Sequence, residues 1–336
     1  MSKPSSPQGG NLGDLLDRIA ARHRPKALEA LPWVVAVAAF FIFPTYLSLG
    51  SQLLIMVLFA LSLDLVLGYA GIVTLGHAAY YGLGAYAAGI LNVRGLVTDP
   101  LLGLVIAAAI GLAAGLLLGA ILLRTHGLTF LMLSIAVLFM FSEAANKAAF
   151  LTGGADGLQG MSVGPVLGMF PFDLEGRAGY LYALAVLALA TLLARWLVHS
   201  PFGMALTGMR ENARRMGAIG APVRARLVVV YAISAALAAA AGALNAEVNQ
   251  FVALNTLSMD LSGAVLVMLV LGGTGRFYGA FIGVPVYLLA EHMLSLQDPT
   301  YWLFWIGVML VLIAMFAPGG ILSVVDALRA RLGGRP

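Results

Sequence analysis

The chain contains no cysteine. Disulfides, thiolate metal sites and cysteine nucleophiles are therefore excluded, and the redox compartment stays open. Charge is almost as scarce: Asp, Glu, Lys and Arg make up 10% of the residues, against about 25% in soluble globular proteins. Lysine is confined to Lys3, Lys26 and Lys147, followed by Pro4, Ala27 and Ala148. The GK[ST] ending of a phosphate-binding loop is thus impossible. HExxH does not occur, and His23, His77, His126, His199 and His292 stand without metal-ligand spacing. These absences point away from an enzyme, and no cofactor or metal is expected. The net charge of +4 never interleaves with aromatics in a soluble segment, so nucleic acid is not an expected partner.

What fills the chain instead is apolar. Hydrophobic residues reach 61% and the mean hydropathy is +0.96. The apolar runs are continuous rather than alternating, which excludes an outer-membrane barrel and leaves helices as the spanning elements. The expected fold class is all-α: a polytopic helical membrane protein with about ten transmembrane helices. Spans are expected at 31–49, 52–67, 72–91, 101–123, 127–147, 179–197, 227–248, 262–273, 279–295 and 301–317. The eighth is short, either a half-helix or one that extends into its loops. A polar segment, 1–30, precedes an uncleaved first helix from Leu31; the membrane domain covers 31–322, and 323–336 is a basic tail. With both termini cytoplasmic, only Arg94, Lys147 and Arg177 fall outside, the asymmetry that resistance of Lys and Arg to translocation demands.

One polar island interrupts this pattern. The loop 199–226 carries Arg210, Arg214, Arg215, Arg224 and Arg226 against the single acid Glu211. Leu206, Met209, Ala213 and Met216 follow a 3-4-3 spacing, so the loop reads as a short amphipathic helix in the cytosol. Glu211 and Arg215 stand at i, i+4 in the favourable order, and Gly208 and Gly217 bracket the segment as start and stop. A half-apolar cytosolic helix calls for a protein partner.

Glycine and alanine carry the packing signals. Gly103, Ala107, Gly111, Gly115 and Gly119 repeat every four residues, as do Ala235, Ala239 and Ala243. Such rows let backbones approach closely in lipid. Two glycine-rich passages about 200 residues apart resemble one another: Gly71 to Gly76, followed by His77, Tyr80 and Tyr81, and Gly272, Gly273 and Gly275, followed by Phe277 and Tyr278. They suggest broken helices of a weak internal repeat around a path. Gly71, Thr74, Gly76, His77, Tyr81, Gly272, Gly273 and Gly275 are accordingly candidates for the path or its gate, with His77 as either a packing hinge or a proton carrier.

Acids inside spans are functional candidates. Asp64, a turn from the end of the second span, is either a paired structural group or part of a gate. Glu143 and Lys147 form an i, i+4 pair at the outer end of the fifth span, read either as a rim pair or as a contact for an external partner. Asn245, Glu247, Asn249 and Gln250 make an interfacial cap or a polar vestibule. Glu291 and His292 read as a wet helix end.

Several stretches resemble, in order, the LivM-type permeases of branched-chain amino-acid ABC transporters. They are GYAGIVTLGHAAYYGLGAY (68–86), LRTHG (123–127), TGGADGL (152–158), SPFGMALTGMRENARRMGAIG (200–220), ISAALAAAAGAL (233–244), VLGGTGRFYGAFIG (270–283) and APGGIL (317–322). The resemblance covers most of 31–322 and is unspecific for substrate, since such permeases serve hydrophobic amino acids, amides, urea and aromatic acids. The long polar N-terminus departs from the family pattern. The resemblance implies a bacterial inner-membrane subunit in lipid, with a LivH-like sister permease, two cytoplasmic LivG/LivF-like ATPase subunits and a periplasmic substrate-binding protein. It implies that Arg210 to Gly220, including Arg214, Gly217 and Gly220, is the segment that docks on the ATPase. Asp156, within TGGADGL, then sits with Glu143, Glu247 and Asn249 on the outer face near the binding protein. The rival reading is a stand-alone secondary transporter coupled to protons through Asp64, Glu143 or Glu247.

Overall fold

A computed structural model describes residues 31–166, 176–316 and 319–323. The polar segment 1–30 and the tail from 324 onward lie outside the described residues. The described chain is all-α. Its longer helices are α1 (Leu31–Ile42), α2 (Leu47–Asp64), α3 (Ala78–Val93), α4 (Pro100–Leu122), α5 (Leu128–Lys147), α6 (Arg177–His199), α7 (Pro201–Ala218), α8 (Val223–Asn249), α9 (Met259–Gly272), α10 (Gly279–Gln297) and α11 (Trp302–Phe316). One antiparallel backbone bridge joins Leu158 to Val252.

Each expected span overlaps a helix, with bounds shifted in several, and the helix lengths do not confirm a count of ten crossings. Six stretches are long and apolar enough to cross a membrane: Pro44–Tyr69, Pro100–Leu122, Leu128–Lys147, Arg177–His199, Val223–Asn249 and Gly279–Gln297. The other four, α1, α3, α9 and α11, have 12, 16, 14 and 15 residues. At a rise of 1.5 Å per residue they reach about 18–24 Å, short of a hydrocarbon core of about 30 Å. The shortening has local causes. Pro44 opens a separate 3-10 turn and ends the first helix at Ile42. Gly71 takes a φ of +74°, and the chain stays non-helical until Ala78. Gly273, at φ +113°, ends α9.

α2 is the central element. Every residue from Leu54 to Asp64 is buried, as suits a helix apolar on all sides, and it packs against α6, α8, α9 and α10. A π-helical turn, Leu65–Tyr69, prolongs it. α8 is the second spine. Its alanine row lies on the glycine row of α4: a Cβ on Gly111 would stand 2.4 Å from Ala239 Cβ, and one on Gly115 2.7 Å from Ala235 Cβ. α3 crosses α8 as closely, since a Cβ on Gly84 would meet Ala239 O at 2.0 Å and one on Gly242 would meet Tyr81 O at 1.8 Å. The opposite face of α4 turns outward, with Leu117 70% exposed.

Gly115→Leu is therefore expected to break the α4–α8 contact, at a cost of at least the about 1–3 kcal/mol of ordinary overpacking. Leu117→Ala, on the outward face, is expected to leave the melting temperature of the detergent-solubilised protein within a degree or two of the parent, well above that of the glycine variant. Equal melting of both variants would remove the glycine row from the packing account.

Candidate functional site

The two glycine passages and the amphipathic helix α7 meet at one junction. Beyond Asp64 the π-helical turn brings Gly68 against the turn after α9. A Cβ on Gly68 would lie 2.0 Å from Asp64 Oδ1 and 2.5 Å from Gly275 N, so no other residue fits there. Gly275 N donates to Asp64 Oδ1 at 2.8 Å. Asp64 is 1% exposed, and its Oδ2 has no hydrogen-bond partner. The C-terminal signature closes the same corner: a Cβ on Gly320 would come within 2.4 Å of Gly273 N.

α7 reaches this junction with its first half. Ser200 caps it, accepting from Gly203 N, and Pro201 occupies the first turn, a pairing that fixes a helix start. The helix thus begins well before Gly208, and Gly217 lies inside it rather than stopping it. Leu206 and Met209 are buried, Leu206 among Leu61, Leu65, Ala70, Ala194 and Val230. Arg210 Nη1 donates to the carbonyl of Gly68. Its Cγ packs where a Cβ on Gly71 would be 2.9 Å away, and its Nη1 where one on Gly275 would be 2.7 Å away.

At Asn212 the backbone leaves the helix (φ −157°, ψ 92°). Its side chain accepts from Arg215 N at 2.9 Å and so caps a second piece. The single amphipathic stripe expected from the spacing is therefore split. Leu206 and Met209 fasten α7 to its own bundle and cannot face another protein. Met216 is half-buried and folds back towards Gly208, where an added Cβ would be 3.1 Å from its sulfur. Glu211, Ala213, Arg214, Arg215, Gly217 and Gly220 are exposed, as is Ile219 at 73%.

The remaining path candidates lie deeper. Thr74 and Gly76 are buried in the extended stretch, with Gly76 N donating to Thr74 Oγ1 at 3.2 Å. His77 is 1% exposed and stacks on Phe59 at 5.5 Å. Its Nε2 lies 2.9 Å from Ser62 Oγ, and Ser234 Oγ donates to Ser62 O. Ser62 Oγ gives its own proton to Phe59 O at 2.6 Å, which assigns the imidazole proton to Nε2. Tyr80 OH donates to Tyr231 OH at 3.3 Å beside this cluster, while Tyr81 is buried with its hydroxyl unpartnered. Ser62, Ser234 and Tyr231 were not singled out from the sequence; hydroxyls inside the apolar runs were the signal available. Gly272 and Gly273 are buried at the α9–α10 break, a Cβ on Gly272 meeting Gly279 O at 1.9 Å.

The four outer-face candidates divide. Glu143 and Lys147 form an exposed ion pair at 3.3 Å. Asp156 is exposed in a turn between Gly154 and Gly157, both at positive φ. Asn249 is exposed and donates to Asn245 at 2.9 Å. Glu247 lies inside the bundle rather than on its rim. It is 3% exposed, with Tyr182 OH 2.9 Å from its Oε2 and Gly103 against its Oε1. Neighbouring α6 supplies that hydroxyl, and counting residues to the end of a span could not show it. Among the described residues no three His, Asp or Glu side chains converge on a possible metal position.

Residues 45–314 match the family described as the permease component of branched-chain amino acid transport systems. Over 321 residues the chain is 29% identical to the high-affinity branched-chain amino acid transport system permease protein LivM of Salmonella typhimurium, covering 87% of this chain and 73% of that one. The Escherichia coli protein of the same name is 28% identical over 320 residues, with the same coverage of both chains. A probable branched-chain amino acid transport permease protein LivM of Methanocaldococcus jannaschii is 25% identical over 316 residues, covering 78% of this chain and 89% of its own. No solved structure matches.

Gly68→Ala is expected to force Asp64 and the Gly275 turn apart, lowering stability by about 1–3 kcal/mol. Gly263→Ala, where nothing lies within 4 Å, should leave stability unchanged or slightly raised. Thermal unfolding of the two purified variants decides it, and parental stability of Gly68→Ala would mean that the corner is loosely packed.

Proposed function

The chain belongs to the family of branched-chain amino acid transport permeases, and on that premise we propose that it is the membrane subunit of an ATP-driven importer. Its cargo is a branched-chain amino acid or a related small amino or organic acid. It does no covalent chemistry. It forms the path together with a sister permease, a periplasmic binding protein delivers the substrate, and two ATPase subunits drive it from the cytosol. The observation that carries this reading is α7. Its first half is anchored in the bundle by Leu206 and Met209, and past Asn212 it projects an exposed tip with Ile219 at its end. A lone carrier has no use for a rigidly mounted cytosolic tip, whereas a subunit without a phosphate-binding loop must take its drive from such a contact. The docking face is thus the tip, 211–220, and not the stripe through Leu206.

Docking gives the first test. Ile219→Glu changes a surface residue and should leave folding within about 0.5 kcal/mol. In an apolar contact the new carboxylate costs several kcal/mol, so co-purification of the ATPase subunits and substrate-stimulated ATP hydrolysis should both be lost. Leu206→Ala should instead destabilise the permease itself by about 2–5 kcal/mol. Proton-driven uptake by the purified chain alone would replace the reading with a secondary transporter.

The membrane orientation gives the second. α7 precedes the N-terminal end of α8, and Asp156 stands near the other end, beside the Leu158–Val252 bridge. The 27 residues of α8 span about 40 Å, enough to separate the two across a bilayer. In this cysteine-free chain, cysteines placed at Asp156 and Asn255 should react with impermeant thiol reagents from outside, and one at Asn212 only from inside. Labelling at Asn212 from outside would overturn the orientation and the docking argument together.

A further inference from the structure

Arg210 stands at the last turn of α7 before the Asn212 break, and its guanidinium already touches both glycine passages through Gly68 and Gly275. Five donors are available on that group. Nearby, Asp64 uses Oδ1 to hold Gly275 N, while Oδ2 is buried without a partner. A buried carboxylate oxygen left unpaired is costly, and a fork of spare N–H donors held on the same two glycines is the group that matches it. The surrounding backbone can rearrange cheaply, because Gly71 and Gly275 have positive φ and no Cβ to move.

We propose that Arg210 and Asp64 form a two-position latch that carries movement of the α7 tip into the two helix breaks. In the arrangement seen, Arg210 holds the Gly68 carbonyl and Asp64 holds the Gly275 amide. In the second, Arg210 swings onto the Asp64 carboxylate, Gly275 is released, and the α9–α10 break is free to move against α2. Arg210 is a positioning residue in this scheme, acting through the backbone it holds rather than on the transported molecule. The latch rests on the reading of α7 as the ATPase-docked segment.

The test uses the complete transporter in proteoliposomes, with Thr274→Cys in the otherwise cysteine-free chain as a reporter beside Gly275. The thiol-labelling rate of this chain is compared between nucleotide-free and vanadate-trapped complexes, and substrate uptake per ATP hydrolysed is measured in parallel. The parent should show a clear difference in labelling between the two states. Arg210→Met should still co-purify with the ATPase subunits, lose that difference, and import about tenfold less substrate per ATP. Asp64→Asn keeps an acceptor for Gly275 N but no charge for Arg210. It should uncouple in the same way and carries the test alone if Arg210→Met does not assemble. Arg210→Lys, with charge but no fork, should restore part of the coupling. Variants that keep the labelling difference and the parental uptake per ATP overturn the latch. So does loss of the ATPase subunits in Arg210→Met, which would make Arg210 a docking contact. A parent that binds no ATPase subunit, or transports without one, refutes the docked reading itself, an outcome visible before any variant is compared.

Discussion

Backbone proximity governs this bundle. In lipid, burying another leucine gains little because the solvent is itself apolar, so helices hold together where their main chains come within van der Waals reach. The glycine row of α4 and the alanine row of α8 supply that reach on one side, and Gly84 against Ala239 supplies it on the other. α8 is therefore clamped between α3 and α4 over much of its length. Because α8 also packs on α2, the same clamp fixes the element that ends at Asp64.

The glycine passages use the same absence of side chains for the opposite purpose. Where the rows sit in regular helix they lock neighbours together. Where Gly71, Gly273 and Gly275 take positive φ they end helices and bring carbonyls and amides into the interior. Backbone groups buried in this way need partners. Side chains provide them, from distant segments in the case of Asp64 for Gly275 N and Arg210 for Gly68 O, and locally in the case of Thr74 for Gly76 N. A charged group inside a membrane protein is expensive, and Asp64 stands where it answers one of these needs.

Much of this was legible in the sequence, and the limit falls in a consistent place. Residues i and i+4 on one helix are fixed by the helix, so the small-residue rows could be read directly. The glycine clusters could be read as breaks for the same reason. The stripe Leu206, Met209, Ala213 and Met216 was read correctly as apolar, but spacing gives a face and not its occupant. The bundle covers the first two, and Asn212 turns the others away. That break did carry a signal, since Asn before Ala213-Arg214-Arg215 is a good N-cap, yet the uninterrupted apolar spacing outweighed it. Glu247 failed in another way: its hydroxyl partner, Tyr182, comes from a separate helix 65 residues away. The junction of Asp64 with Gly275 spans 211 residues and pairs a side chain with a main-chain amide, which no local pattern encodes.

The same logic separates the two ends of the molecule. Near Asp156, glycine turns and the Leu158–Val252 bridge make a cap over Ala85, Tyr86 and Leu257, and Asn92 holds both backbone groups of Ser162. At the α7 end the polar contacts run between elements distant in sequence, with one carboxylate oxygen left over. A region closed by a backbone bridge resists rearrangement, whereas one held by single side chains on glycine backbones can exchange those hydrogen bonds for others. That junction lies where α7 enters the bundle, so a force applied at the exposed tip acts first on the hydrogen bonds that Arg210 and Asp64 make to Gly68 and Gly275.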